Sequence, residues 1–223
     1  MLDLVEMKIK ENCIYKRRMQ KTAKPYCIKK PGSFREKCSF IAAKVSKLFI
    51  EIGYHQTSMR DISRATGMSM GSLYRYISTK EELLYLVFAR HHHRIKDILF
   101  DRIVLIKEDP KQLLKQFVAN FINNKSEFID EMMMLQYESK FMSKVNLAQV
   151  REKEVEEIYE LEKIVRAGVH QGIFKAEDTY FTAVMIIYQL SILATKGWMF
   201  EGKYSEKEID VLLEDYVLKT ISY

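Results

Sequence analysis

The stretch TSMRDISRATGMSMGSLYRYISTK, residues 57–80, decides the fold. It reads as a helix, a four-residue turn, a second short helix and the cap of a third. Ser58-x-x-Asp61 has the form of a capping box, in which side chain and backbone at a helix start satisfy each other. Ile62 and Ala65 face inward, and Gly67 closes the helix. Ser69 caps the next helix, expected over residues 70–77, where Leu73 and Ile77 lie four apart and anchor it to a core. Met70, Ser72 and Arg75 are left to point elsewhere, and Tyr76 is assigned to packing. Gly71 has no side chain to hold a surface away. A short helix of this kind, fixed by a turn, is how a small domain presents side chains to the DNA major groove.

The flanks support this reading. Upstream, Ser33-x-x-Glu36 opens a helix whose Ile41, Val45, Leu48, Phe49 and Ile52 recur at helical spacing, and Gly53 ends it. Residues 1–32 are basic and irregular, with Pro25 and Pro31 breaking any long helix, and read as a flexible arm able to lie along phosphates. Downstream, Thr79-x-x-Glu82 caps a long helix carrying Leu83, Leu86, Val87, Ile95, Ile98 and Leu99.

Charge divides along the chain. Residues 1–90 hold 18 Lys and Arg against 8 Asp and Glu, and residues 91–223 hold 18 against 22. A basic front and a mildly acidic back place any polyanion at the front. The 3 cysteines, Cys13, Cys27 and Cys38, form no metal-binding spacing and read as free thiols. No N-terminal run resembles a signal peptide, and the most apolar stretch, residues 183–194, is too short to span a bilayer. A cytoplasmic protein without membrane association is expected.

The remainder reads as helices. Asp109-Pro110 starts one with Leu113, Leu114, Phe117, Val118 and Phe121 on its apolar face. Residues 128–142 follow, rich in methionine, and residues 146–171 make a long charge-laced helix. Three methionines in sequence, Met132 to Met134, face different directions, so one side is expected to line an apolar cavity. The candidate effector pocket is Phe117, Phe121, Met133, Tyr137, Phe141, Met185 and Tyr188. His91, His92 and His93 diverge by about 100° each on a helix, so they do not share a metal ion; they read as a polar crossing point between two domains. Residues 178–200 are apolar all round and residues 205–221 carry one clean stripe. Together they are the expected dimer interface, a four-helix bundle with their copies.

The run G-Y-x-x-T-S-x-R-D-I-S-x-x-T-G-M-S-x-G-S-L-Y-R-Y-I-x-T-K-E-E-L-L, Gly53 to Leu84, resembles the DNA-binding domain of TetR-family transcriptional regulators. The resemblance implies that the second short helix enters the major groove. Ser69, Met70, Gly71 and Ser72 then match positions facing base edges or sugars. Tyr74 matches a phosphate-binding tyrosine, Thr57 and Lys80 match phosphate contacts, and Arg75 stands where histidine is common. The expected fold is all-α. Residues 33–80 form a three-helix helix-turn-helix domain, and residues 81–223 a larger helical effector-binding and dimerisation domain. The expected function is a ligand-responsive repressor that binds double-stranded DNA at a palindromic operator as a homodimer and is released by a small hydrophobic or amphipathic effector. No cofactor or metal is implied. The other reading is a helical small-molecule carrier or enzyme with an incidental helix-turn-helix. No nucleophile–base pair, paired carboxylates or glycine-rich phosphate loop supports catalysis.

Overall fold

The computed structural model describes residues 33–100 and 109–221, and every regular element in them is helical. The expected arm, residues 1–32, lies outside the described residues. The helices are α1 (Ser33–Ile52), α2 (Met59–Thr66), α3 (Met70–Tyr74) and α4 (Lys80–Ile95), which runs on into a wider π turn over Lys96–Phe100. They continue as α5 (Pro110–Asn123), α6 (Lys125–Glu138), α7 (Lys144–His170), α8 (Thr179–Lys196) and α9 (Glu206–Ile221). No described helix is long and apolar enough to cross a membrane.

Local chemistry sets most of the boundaries. Gly53 (φ 93°), Gly67 (φ 66°) and Gly172 (φ 69°) adopt the left-handed conformation that ends a helix. The Ser205–Glu208 box is complete: the Glu208 carboxylate accepts from the Ser205 N–H at 2.7 Å, and the Glu208 N–H donates to Ser205 Oγ at 3.3 Å. At Thr79 the box is displaced by one residue. Thr79 Oγ1 accepts from the Glu82 N–H, but the Glu82 carboxylate reaches back to the N–H of Ser78 at 2.8 Å. Asp109 caps α5 with Pro110 at its first turn.

Two apolar cores meet along α4. The first gathers Ile41, Val45 and Phe49 of α1, Ile62 of α2, Leu73 and Ile77, and Leu83 to Phe88 of α4. It also takes in Met134 and Leu135 of α6, together with Met142 and Val150. The second is built from Leu99, Leu113, Leu114, Phe117, Phe121, Phe128, Leu161, Ile164, Val165, Phe174, Ile186, Leu190 and Val217. Inside it Gly168 lets α7 pass against the Phe174 ring, since a Cβ there would stand 2.0 Å from that ring. Cys38 is buried and disulfide-bonded, which corrects the expectation of three free thiols. Sequence spacing carries no information on which sulfurs meet. Cys13 and Cys27 lie outside the described residues.

Candidate nucleic-acid interface

The α2–α3 unit is fixed by hydrogen bonds from its own polar residues. The Asp61 carboxylate accepts from the Ser58 N–H at 2.9 Å, and the Asp61 N–H donates to Ser58 Oγ at 3.2 Å. The hydrogen bonds from the Ser58 hydroxyl and backbone N–H hold the Asp61 carboxyl below its usual range. At the turn, the Gly67 N–H donates to Arg64 O, the Met68 N–H to Ser63 O at 3.2 Å, and Ser63 Oγ to Met68 O. Ser69 then caps α3 by accepting from the Ser72 N–H at 3.2 Å. The helix is shorter than the expected span to residue 77, because the Tyr76 N–H closes a tighter turn onto Leu73 O at 2.9 Å. Leu73 and Ile77 are fully buried, and the Tyr76 ring packs on Phe34 at 4.7 Å between centroids.

That anchoring leaves one polar surface outward. Ser69, Gly71, Tyr74 and Arg75 are exposed, and Met70 and Ser72 are half-buried beside them. Tyr74 is 50% exposed. Arg75 Nη2 donates to Ser72 Oγ at 3.2 Å, which aligns its guanidinium along α3. A Cβ at Gly71 would meet nothing within 4 Å, so the fold itself does not require glycine there.

Two expected contact residues sit differently. Thr57 is 1% exposed; its hydroxyl donates to Gly53 O at 2.8 Å and its N–H to the same oxygen at 3.2 Å. Both donors are committed inside the loop, so a phosphate contact from Thr57 is not presented. Lys80 is half-buried. Its Nζ donates to His55 O at 3.2 Å and lies 4.5 Å from the Tyr54 ring centroid. Burial lowers the pKa of its ammonium, against the nearby Glu138 carboxylate, which raises it. Lys80 therefore pins the start of α4 to the loop that precedes α2.

Behind this surface lies a polar cluster that sequence reasoning missed. Glu131 of α6 is 5% exposed. It accepts from Ser46 Oγ of α1 at 2.8 Å, and from Arg90 at 2.9 Å, His91 at 2.9 Å and Arg94 at 3.1 Å, all on α4. Burial raises the Glu131 pKa, but the His91 hydrogen bond and charge, with Ser46 and Arg90, outweigh it and bring it to about 2. The available signal was the pair Asp130 and Glu131 inside the otherwise apolar run from Phe128 to Leu135. His92 bonds Glu157 of α7 and His93 bonds Asp97 at 2.8 Å, so the histidine run serves three separate carboxylates.

Residues 43–86 match the family described as bacterial regulatory proteins, tetR family. Residues 107–221 match the one described as tetracyclin repressor-like, C-terminal domain, over more than half of the chain. The chain belongs to the TetR family. It is a DNA-binding transcriptional regulator. An HTH-type transcriptional regulator of Staphylococcus aureus (strain MRSA252) is 32% identical over 181 residues, covering 74% of this chain and 81% of that protein. The TetR family transcriptional regulator PfmR of Thermus thermophilus aligns with a TM-score of 0.67 at 24% identity, over 80% of this chain and 97% of that one. AibR, solved with isovaleryl coenzyme A and operator DNA, aligns at 0.65 with 18% identity, over 82% and 97%. At these identities the two structures speak for the fold alone.

The regulator's seven expected effector-pocket residues do not converge. Phe117 and Phe121 are packed inside the second core. Met133 is half-buried on α6, while Tyr137, Met185 and Tyr188 are exposed on α6 and α8. Phe141 follows α6 and lays its ring against His55 at 3.9 Å and Tyr54 at 5.9 Å, on the loop before α2. Apolar character marks burial or an open interface equally well. Which side of α6 and α8 meets a neighbour is decided by packing. A cleft of about 730 Å³ opens instead between α4 and α7.

Proposed function

We propose that this TetR-family regulator acts as a homodimeric, ligand-responsive repressor. Its two α3 helices enter successive major grooves of a palindromic operator, and a small amphipathic effector bound in the helical body releases them. The observation that carries this reading is a row of exposed apolar side chains on the last two helices. Phe181, Met185, Tyr188 and Ile192 stand on one face of α8 at spacings of four, three and four, and Leu212 and Tyr216 continue it on α9. Tyr188 is 69% exposed. Their opposite faces, Ala183, Ile186, Leu190 and Val217, are already buried in the second core. Exposed apolar side chains on two helices that pack together suit a two-fold partner, which meets the same surface with its own copy.

In such a dimer Ser69, Met70, Gly71 and Ser72 face base edges or sugars, Tyr74 donates to a phosphate, and Arg75 reaches a guanine or a phosphate. Lys80 supports the loop beside them. α4 links the two cores, so a ligand that favours one seating of α4 changes the spacing of the α3 helices. It does so by its difference in affinity for the two states. The test replaces Tyr188 and Leu212 together by glutamate. The expected result is a monomer in sedimentation that loses operator binding. A double variant that stays dimeric, or a monomer that binds the operator as tightly as the parent, overturns the proposal.

A further inference from the structure

The cleft between α4 and α7 has a composition that none of the expected site residues shares. Its floor is apolar and aromatic, with Tyr85, Phe88 and Val150. Two buried nitrogens of residues that line it have no hydrogen-bond partner: His92 Nε2 and Gln149 Nε2. The His92 side chain is 8% exposed, and its Nδ1 is taken by the Glu157 carboxylate. A carboxylate only accepts, so Nδ1 carries the proton of that bond and Nε2 is the ring nitrogen left without a partner. The Gln149 amide nitrogen is a donor. Buried polar atoms without partners are costly, and their occurrence in pairs along one cleft marks places where a guest supplies the missing bonds.

The rim indicates the charge of that guest. Lys153 pairs with Glu156 at 2.6 Å, Lys163 with Glu160 at 2.6 Å, and His93 with Asp97 at 2.8 Å. With Lys96 and Glu157 the lining sets three lysines against four carboxylates, a near balance that strongly favours neither an anion nor a cation. A volume of about 730 Å³ is that of a site for a small organic molecule.

We propose that this cleft binds an uncharged aromatic molecule bearing a hydroxyl group and a second oxygen. The hydroxyl donates to His92 Nε2, the second oxygen accepts from the Gln149 amide, and the ring lies against Tyr85 and Phe88. Five of α4's residues, from Tyr85 to His93, line the site, so occupancy acts on the helix that also carries the first core. This deepens and rests on the ligand-responsive reading above.

Calorimetry on the full chain without DNA tests it, with 4-hydroxybenzophenone as the probe and its methyl ether as the control. The phenol is expected to bind, and the ether, which cannot donate, about tenfold more weakly. Gln149→Leu is expected to weaken the phenol by about the same factor and to leave the melting temperature near that of the parent. His92→Phe removes the acceptor and is expected to abolish the difference between phenol and ether. Absence of phenol binding at millimolar probe, or equal binding of phenol and ether to the parent, overturns the site. A bound phenol that leaves operator affinity unchanged overturns the ligand-responsive reading and spares the site.

Discussion

Replacing Glu131 by glutamine tests how the DNA-binding unit is held to the helical body. The carboxylate is the common acceptor for Ser46 on α1 and for Arg90, His91 and Arg94 on α4. Its pKa falls from 4.5 to about 2 on folding, against the effect of burial. Each pKa unit is worth about 1.4 kcal/mol, so the ionised form contributes about 3 kcal/mol. A depressed carboxyl pKa gives stability that is present above the unfolded value and disappears as pH falls through the folded one. The parent is therefore expected to lose this contribution between pH 4.5 and about 2. Glutamine keeps the shape but removes the charge, leaving two guanidinium groups around a site with no anion. Breaking a buried pair in this way costs about 3–5 kcal/mol. Urea unfolding at pH 7 should show the midpoint falling with an unchanged slope, and the variant's stability should vary less with pH in the acid window. A loss below about 1 kcal/mol, or an unaltered acid profile, would show that the Glu131 carboxylate does not hold α1, α4 and α6 together.

Further outcomes follow from other parts of the fold. Tyr74→Phe should weaken binding to operator and random DNA by a similar factor, since one phosphate bond is lost; fluorescence anisotropy on both duplexes measures it, and an effect confined to the operator would contradict the role. Gly168→Ala places a Cβ 2.0 Å from the Phe174 ring, and overpacking of this kind costs about 1–3 kcal/mol, visible as a lowered melting temperature. Lys80→Met should loosen the loop before α2 and reduce DNA affinity while leaving the second core intact, which amide exchange at residues 53–58 would separate. Deleting residues 1–32 should lower the salt dependence of DNA binding, and an unchanged slope would show that the arm touches no phosphates.

What could be read from the sequence was mostly local. Ser58, Ser69, Thr79, Asp109 and Ser205 cap the helices assigned to them, because a cap needs only residues two to four positions away. The glycine stops at Gly53, Gly67 and Gly172 follow from the same locality. The outward surface of α3 was legible because Leu73 and Ile77 fix its inner side. Thr57 was not, since its hydroxyl chose a backbone oxygen four residues back over solvent. The pocket escaped the sequence for a different reason. His92 and Gln149 carry their missing bonds in three dimensions, and Glu131 draws partners from 37 to 85 positions away. No periodicity records such contacts. α8 illustrates the middle case: its apolar surround was plain, but only packing shows that Ala183, Ile186 and Leu190 face the core while Phe181 and Tyr188 do not.

In the proposed dimer two copies of α3, set apart by the α8–α9 pairing, read a palindrome. Nuclease footprinting of the purified protein on the DNA flanking its own coding region tests this most directly. One protected palindromic site is expected, with half-sites centred roughly 34–36 Å apart, one helical turn or a multiple of it. Protection should be lost in the Tyr188→Glu, Leu212→Glu double variant. Protection of a single, non-palindromic half-site by the parent, or an unchanged footprint from the monomeric variant, would contradict it.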